Sequence, residues 1–261
     1  MNLAQALADA RTKGIKLDAY PGAAPASELD AFKLQCEAAR LTGWTQTGWK
    51  IGCTSKMAQD MLRADGPFPG PLYAERTFAD DGEVPVSSSA IRLVEPEVAV
   101  IMAKDLPARD LPAGSGEYTV DEVLAAAASV HLSLELVNRR LPGGLEDGNM
   151  WNIADGGCND AFVLGPANAV LPAGDYAGLE LVVAKNDQPE TAGQGVNALG
   201  GPDIALTWLA NYLNAQGKML KAGDVITTGV VTGLVYVEAG DEIISTCAQL
   251  GEVSAHYVAS S

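Results

Sequence analysis

Histidine is scarce in this chain: His131 and His256 are the two present among 261 residues. A histidine-rich metal centre and the HExxH arrangement are therefore excluded. Cys36, Cys53, Cys158 and Cys247 stand far apart with no CxxC pair, so neither a structural zinc site nor a disulfide framework is expected. They read as small apolar core residues. Basic residues are few as well, 17 Lys and Arg against 33 Asp and Glu, for a formal charge of −16. Nucleic-acid affinity relies on cations that displace counterions, which argues against DNA, RNA and anionic membranes as partners. A small anionic substrate needs no more than a local positive site, such as a bound cation. No apolar run approaches a membrane span, and MNLAQALADARTKG lacks the basic start and apolar stretch of a leader. The expected location is cytoplasmic. A GxSxG elbow and a P-loop are also missing. GQGVNALGG (193–201) superficially fits a dinucleotide fingerprint, but the polar KNDQPETA stretch stands before it in place of a strand, so that reading fails.

What is present is a 48% hydrophobic, turn-rich chain with 28 Gly and 14 Pro, long enough for one large domain or one domain with a small appendage. Residues 2–13 are alanine-rich and favour a helix. A second helix begins at Ser27 as its cap, carries Leu29, Phe32, Cys36 and Ala39 as an apolar stripe, and ends at Gly43. With the connector YPGAAPAS between them, residues 1–48 are predicted to form a helical arm on a β-rich core of residues 49–261. Strands are expected at WKIGC, VEPEVAVIM, VHLSLELV, DAFVLG, GLELVVAKN, DVITTG, LVYVEAG and across 241–258. Helices interrupt them at 55–64, 120–130 and 202–217. The triplet AGD recurs at 173–175, 222–224 and 239–241 and reads as repeated turn chemistry, glycine supplying the positive φ.

Two glutamates, Glu95 and Glu97, interrupt the apolar run RLVEPEVAVIM. Residues two apart in a strand share a face, so both carboxylates point the same way. Unpaired in a buried setting they would cost several kcal/mol each, so a metal ion, an Arg or Lys, or water must sit among them. Glu135 in HLSLELV is a third carboxylate in a strand-like run, on the face of Ser133 and Val137. Three such oxygen donors suit Mg²⁺ or Mn²⁺, with water completing the octahedron; the alternative is half-exposed strands whose acids pair with Arg92, Arg139 or Arg140. Lys50, between Trp49 and Ile51, is either a desolvated amine with a lowered pKa, fit for proton transfer, or a snorkelling surface lysine.

Taken in order, GWKIGCTS, PFPGPLYAE, VEPEVAVIM followed by KDLP, LELVNRR, IADGG, GQGVNALGGP leading to WLA, and AGDVITTG resemble the fumarylacetoacetate hydrolase superfamily. Within it they resemble the group containing 2-hydroxypenta-2,4-dienoate hydratase and 4-oxalocrotonate decarboxylase, over nearly the whole chain. The resemblance implies an α+β fold with a mixed β-sandwich roll and an N-terminal helical arm. It implies a Mg²⁺ or Mn²⁺ ion held by Glu95, Glu97 and Glu135, with Lys50 as the active-site lysine. Phe68, Gly70, Leu72, Cys158, Thr228 and Gly229 are implied to border a small 2-oxo acid substrate. It further implies a homo-oligomer and possible association with a related enzyme of the same pathway.

The chain departs from the pattern in places. Hydratases of the group tend to carry Asp where this chain has Phe68, a position that is apolar in the decarboxylases. Asn138 replaces a frequent Asp, and Gly156, Gly157 and Cys158 replace a common Asn-Ala-Ser. A metal-dependent lyase of hydratase type is the leading expectation. The alternatives are a 4-oxalocrotonate-type decarboxylase, an acylpyruvate C–C hydrolase, and a non-catalytic partner subunit or 2-oxo acid binding protein.

Overall fold

A computed structural model describes residues 2–87, 91–109 and 116–260. The chain opens with helices α1 (Leu3–Thr12) and α2 (Glu28–Thr42). Ser27 starts α2 by accepting a hydrogen bond from the Asp30 amide, and Gly43, at φ 70°, ends it. Its buried face is Ala31, Phe32, Gln35 and Ala38, while Leu29, expected on the apolar stripe, is exposed. A glutamine lies on the buried face because its amide donates to the carbonyls of Pro69 and Ile153.

There follow β1 (Gln46–Gly52), α3 (Lys56–Leu62), β2 (Phe68–Tyr73), β3 (Thr77–Ala79), β4 (Gly82–Val86), β5 (Leu93–Met102), α4 (Val120–Leu124) and β6 (Ala127–Val137). The second half holds α5 (Asn149–Ala154), β7 (Asn159–Leu164), β8 (Glu180–Lys185), β9 (Gln188–Gln194), α6 (Pro202–Ala215), β10 (Val225–Val230), β11 (Val235–Tyr236), β12 (Glu242–Cys247) and β13 (Gly251–Ala259). The architecture is α+β. One mixed sheet runs β2-β1-β10-β5-β6-β7-β3, with β11 also paired to β5; the other runs β4-β13-β12-β8-β9.

The sheets face each other because β6 alternates. Leu132, Leu134 and Leu136 turn into a core shared with Val183, Ile243 and Val253 of the second sheet, and burying each leucine contributes about 2 kcal/mol. Ser133 and Glu135 turn the other way, although they too are fully enclosed. The N-terminal helices contribute Leu7 and Phe32 to the same core. Arg11 of α1 is buried and donates to the carbonyls of Asp155 and Asn159.

Two expected elements differ. The helix expected over 120–130 stops at Leu124, and Ala127–Val130 already pair with β5, so ladder bonds override alanine's helix preference. KNDQPETA, expected to be irregular, contains the edge strand β9, joined to β8 by Asn186 and Asp187, both at positive φ as a two-residue hairpin turn requires. Because β9 runs antiparallel to β8 and sits at the sheet's edge, GQGVNALGG still lacks the parallel strand–turn–helix unit of a dinucleotide site. The described residues contain no helix long and apolar enough to cross a membrane.

Candidate metal centre

Sheet register brings the acids together. Glu95 lies directly opposite Glu135, and Glu97 opposite Ser133, in the antiparallel β5–β6 pair. Directly opposed residues point to the same side of a sheet. One oxygen from each of Glu95, Glu97 and Glu135 lies within 4.8 Å of the others. On the neighbouring strands Lys50 of β1 is in register with Thr227 of β10, and Thr227 with Ala99 of β5, which carries the lysine onto the acidic face.

Each of the two fully buried carboxylates has one oxygen held and one free. Glu97 Oε2 accepts from the Thr227 hydroxyl and from the Gly229 amide at 2.6 Å. Glu135 Oε1 accepts from Asn159 Nδ2 at 3.2 Å and lies 3.2 Å from Lys50 Nζ. Glu97 Oε1 and Glu135 Oε2 are buried without a partner among the described residues. An orphaned carboxylate oxygen in a dry site is costly, so two side by side call for a cation. The arginines weighed above as counter-ions are engaged elsewhere: Arg140 with Asp155 and Asp160, Arg139 with the Gly144 carbonyl and Tyr20, and Arg92 with Glu238. The donor set fits a hard divalent ion such as Mg²⁺ or Mn²⁺.

Electrostatics say the same. Burial pushes the Glu97 carboxyl well above the usual range, and repulsion from Glu135 and Glu95 adds to this. Glu135 is pushed up to about 7, chiefly by burial, against the pull of Lys50. Lys50 departs from the lowered pKa considered above. Burial acts to lower it, but the fields of Glu135, Glu95 and Glu97 outweigh that and raise it, so the amine stays an ammonium. One ammonium cannot balance three carboxylates.

The lysine stem runs in a groove walled by glycines. A Cβ at Gly70 would meet the Gly156 carbonyl at 2.3 Å and Lys50 Cγ at 3.2 Å, and one at Gly157 would sit 2.7 Å from Lys50 Cε. Gly229, at φ 102°, abuts Thr54, whose hydroxyl a Cβ would meet at 2.2 Å; here the backbone itself has to approach Glu97. A cavity of about 360 Å³ opens beside Lys50 and Glu95, and Phe68 and Cys158 line it. Burial pushes the Cys158 thiol up to about 12, as it does that of Cys53, so neither is a thiolate nucleophile at neutral pH.

Of the six residues expected at the substrate, Phe68 and Cys158 line the cavity, and Gly70, Leu72, Thr228 and Gly229 do not. Leu72 packs with Ala99 and Phe162 in a separate apolar cluster. Thr228 is turned to the opposite side of β10 and donates to the Val98 carbonyl; strand alternation gives its place on the acidic face to Thr227. Gly70 backs the lysine stem and does not line the cavity. Thr227, Asn159 and Thr54 are the residues that sequence reasoning passed over. ITTG signals that one threonine faces each way without saying which.

Two mixed sheets, with a carboxylate trio and one buried lysine on the face of the larger sheet turned away from the smaller, define a class of acidic, oxygen-donor candidate metal sites. The fumarylacetoacetate (FAA) hydrolase C-terminal family matches residues 73–258, and the chain belongs to that family. It is 33% identical to 2-hydroxyhexa-2,4-dienoate hydratase from Comamonas testosteroni over 268 residues, covering 98% of this chain and 94% of the relative. It is 28% identical to 2-keto-4-pentenoate hydratase from Burkholderia vietnamiensis over 261 residues, with the same coverage. Among solved structures it resembles 4-oxalocrotonate decarboxylase from Pseudomonas putida, complexed with magnesium and adipate, with a TM-score of 0.84 and 27% identity over 98% of this chain and 96% of that one.

Proposed function

We propose that this chain is a divalent-metal-dependent lyase of hydratase type, acting on a small 2-oxo or 2-hydroxydienoic acid. The observation that carries the reading is the pair of orphaned, buried oxygens, Glu97 Oε1 and Glu135 Oε2, beside a lysine held as an ammonium at the end of a cavity. Glu95, Glu97 and Glu135 would hold Mg²⁺ or Mn²⁺, which supplies Lewis acidity toward an enolate developing on a 2-oxo acid. The chain's own residues bind and orient. Lys50 has three N–H donors, one directed at Glu135, so the others remain for the substrate's anionic oxygens. Thr227, Gly229 and Asn159 fix the carboxylate rotamers, and Phe68 with Val137 gives the cavity an apolar wall. Hydratase relatives at 28% and 33% identity over 98% of the chain support hydration as the reaction.

A decarboxylase is the second reading, favoured by apolar Phe68 lining the cavity and by the resemblance to the decarboxylase structure. A C–C hydrolase is less well supported: His131 bonds Ser129 and the Gly165 carbonyl, and no histidine is among the cavity-lining residues. Mass spectrometry after incubation with Mg²⁺, dienoates and acylpyruvates separates these. Gain of one water indicates hydration, loss of CO₂ decarboxylation, and chain cleavage hydrolysis. Binding of a 2-oxo acid without turnover would make the chain a partner subunit or binding protein.

A further inference from the structure

The cavity beside the carboxylates has chemically unlike ends. At its floor are Lys50 and Glu95; toward solvent it is walled by Met57, Met61 and Leu62 of α3, by Leu145, and by Leu234. The mouth is where the exposed residues are: Met57 is 80%, Met61 48% and Leu234 42% exposed. Large apolar side chains at an opening are informative, because exposed apolar clusters mark binding surfaces. Met57 and Met61 stand one helical turn apart on the same face of α3, and unbranched methionines adapt to differently shaped partners.

Among the lining residues Lys50 is the single cation, and it already faces Glu135. Lys56, the nearest cation on α3, is paired with Asp60 and does not line the cavity. Among the neutral polar groups there, the buried Thr54 hydroxyl is without a partner among the described residues, but others are occupied. Asn152 donates to the Leu145 carbonyl, Asn197 to that of Val231, and Thr232 to that of Gly233. A second carboxylate held between the apolar walls, short of the exposed mouth, would lose hydration and find no second cation among the lining residues.

Resting on the metal-dependent 2-oxo acid reading above, we infer that the substrate is a monocarboxylic acid whose tail beyond the reacting carbons is uncharged and apolar, and extends to the methionines at the mouth. The space of about 360 Å³ corresponds to roughly twelve waters, more than the smallest acids of this class fill. The chain thereby rejects dicarboxylic analogues of equal length, and Met61 is a specificity-determining residue.

Titration calorimetry of the full chain in Mg²⁺ tests this without relying on turnover. The probes are 2-oxobutanoate, 2-oxopentanoate, 2-oxohexanoate and the dicarboxylic 2-oxohexanedioate. Kd is expected to tighten about three- to fourfold per methylene, and 2-oxohexanedioate to bind at least about tenfold more weakly than 2-oxohexanoate. Met61→Lys, at a half-exposed position, should narrow or reverse that gap. Binding in a flat or reversed order overturns this inference alone, and so does an unchanged gap in Met61→Lys. If none of the acids binds, this inference and the reading beneath it both fall. The expected order without turnover of any dienoate sustains the tail preference and overturns the lyase.

Discussion

Replacing Glu97 with glutamine removes one charge from the centre while keeping its shape. The wild-type carboxylate is fully buried, one oxygen held by Thr227 and the Gly229 amide and the other without a partner. Carboxylate oxygens at most 4.8 Å apart repel by about 3–4 kcal/mol at an effective dielectric of about 20. The ammonium lies against Glu135, and burial together with repulsion from Glu135 and Glu95 favours the protonated form of Glu97 when no metal is bound. A glutamine carbonyl takes the same two hydrogen bonds, so Glu97→Gln should unfold in chelator within about 1 kcal/mol of the parent, against the 3–5 kcal/mol typical of breaking a buried ion pair. With Mg²⁺ at a hundredfold its Kd, the parent should gain about 2.7 kcal/mol, or roughly 5–10 °C in Tm for a chain of this size. Losing an anionic ligand should weaken binding beyond the roughly 10–100-fold typical of losing a group that merely supports one. The variant should then gain about 1 °C or less. Scanning calorimetry in chelator and in Mg²⁺ reads both effects. An equal Mg²⁺ shift in both proteins would refute Glu97 as a ligand, and a large loss in chelator would show that its charge is structural.

Further perturbations reach the neighbouring groups. The folded-state carboxyls of Glu97 and Glu135 are raised above the unfolded 4.5, Glu135 to about 7, so at this centre the folded metal-free chain holds more protons than the unfolded one over that interval. Its stability should fall as pH rises from 4.5 through 7, while Mg²⁺ affinity rises and then levels off; calorimetry in buffers of different ionisation enthalpy should count protons released, and an affinity independent of pH contradicts it. Thr227→Val should cut Mg²⁺ affinity by about 10–100-fold, whereas Thr228→Val should cost about 1 kcal/mol of stability and leave affinity alone; metal titration that ranks them the other way refutes the assignment of faces. Asp155→Ala removes the buried carboxylate that pairs with Arg140 and approaches Arg11, leaving them Asp160 and backbone carbonyls, and should cost about 3 kcal/mol in urea unfolding; a loss under about 1 kcal/mol would mean that the network does not anchor the arm.

Much of the site was legible because a strand's alternation is a strong constraint. In β5 and β6 a glutamate between apolar residues has one possible side, and three such glutamates on adjacent strands converge. Local punctuation was equally readable: Ser27 and Gly43 bound α2, and Gly174, Gly223 and Gly240 of the three AGD triplets all have positive φ. Long-range information was not. Thr227 and Thr228 cannot be told apart until the register to Ala99 is known. Two prolines in FPGPLY hide β2, which tolerates them because it is the outermost strand of its sheet. Residues 127–130 look helical by composition, and pairing with β5 decides otherwise. The raised lysine pKa is hidden from the sequence for the same reason: the three acids around the amine belong to other strands.

Charge balance links the centre to the acidity of the whole chain. A protein of net charge −16 repels small anions at long range, so recruiting one requires the local negative charge to be cancelled. Three carboxylates and Lys50 leave two negative charges uncompensated, and a divalent ion brings the centre to neutrality. A monoanionic acid then enters a centre without excess negative charge, with the Lys50 ammonium free to meet its oxygens. On the proposed reading a dianion meets the same head group, but its second charge stands between the apolar walls of the cavity under the field of the acidic surface. The substrate's charge is thus constrained from both ends of one cavity, and metal removal should abolish binding of monocarboxylic acids even though every side chain that touches their tails is still in place.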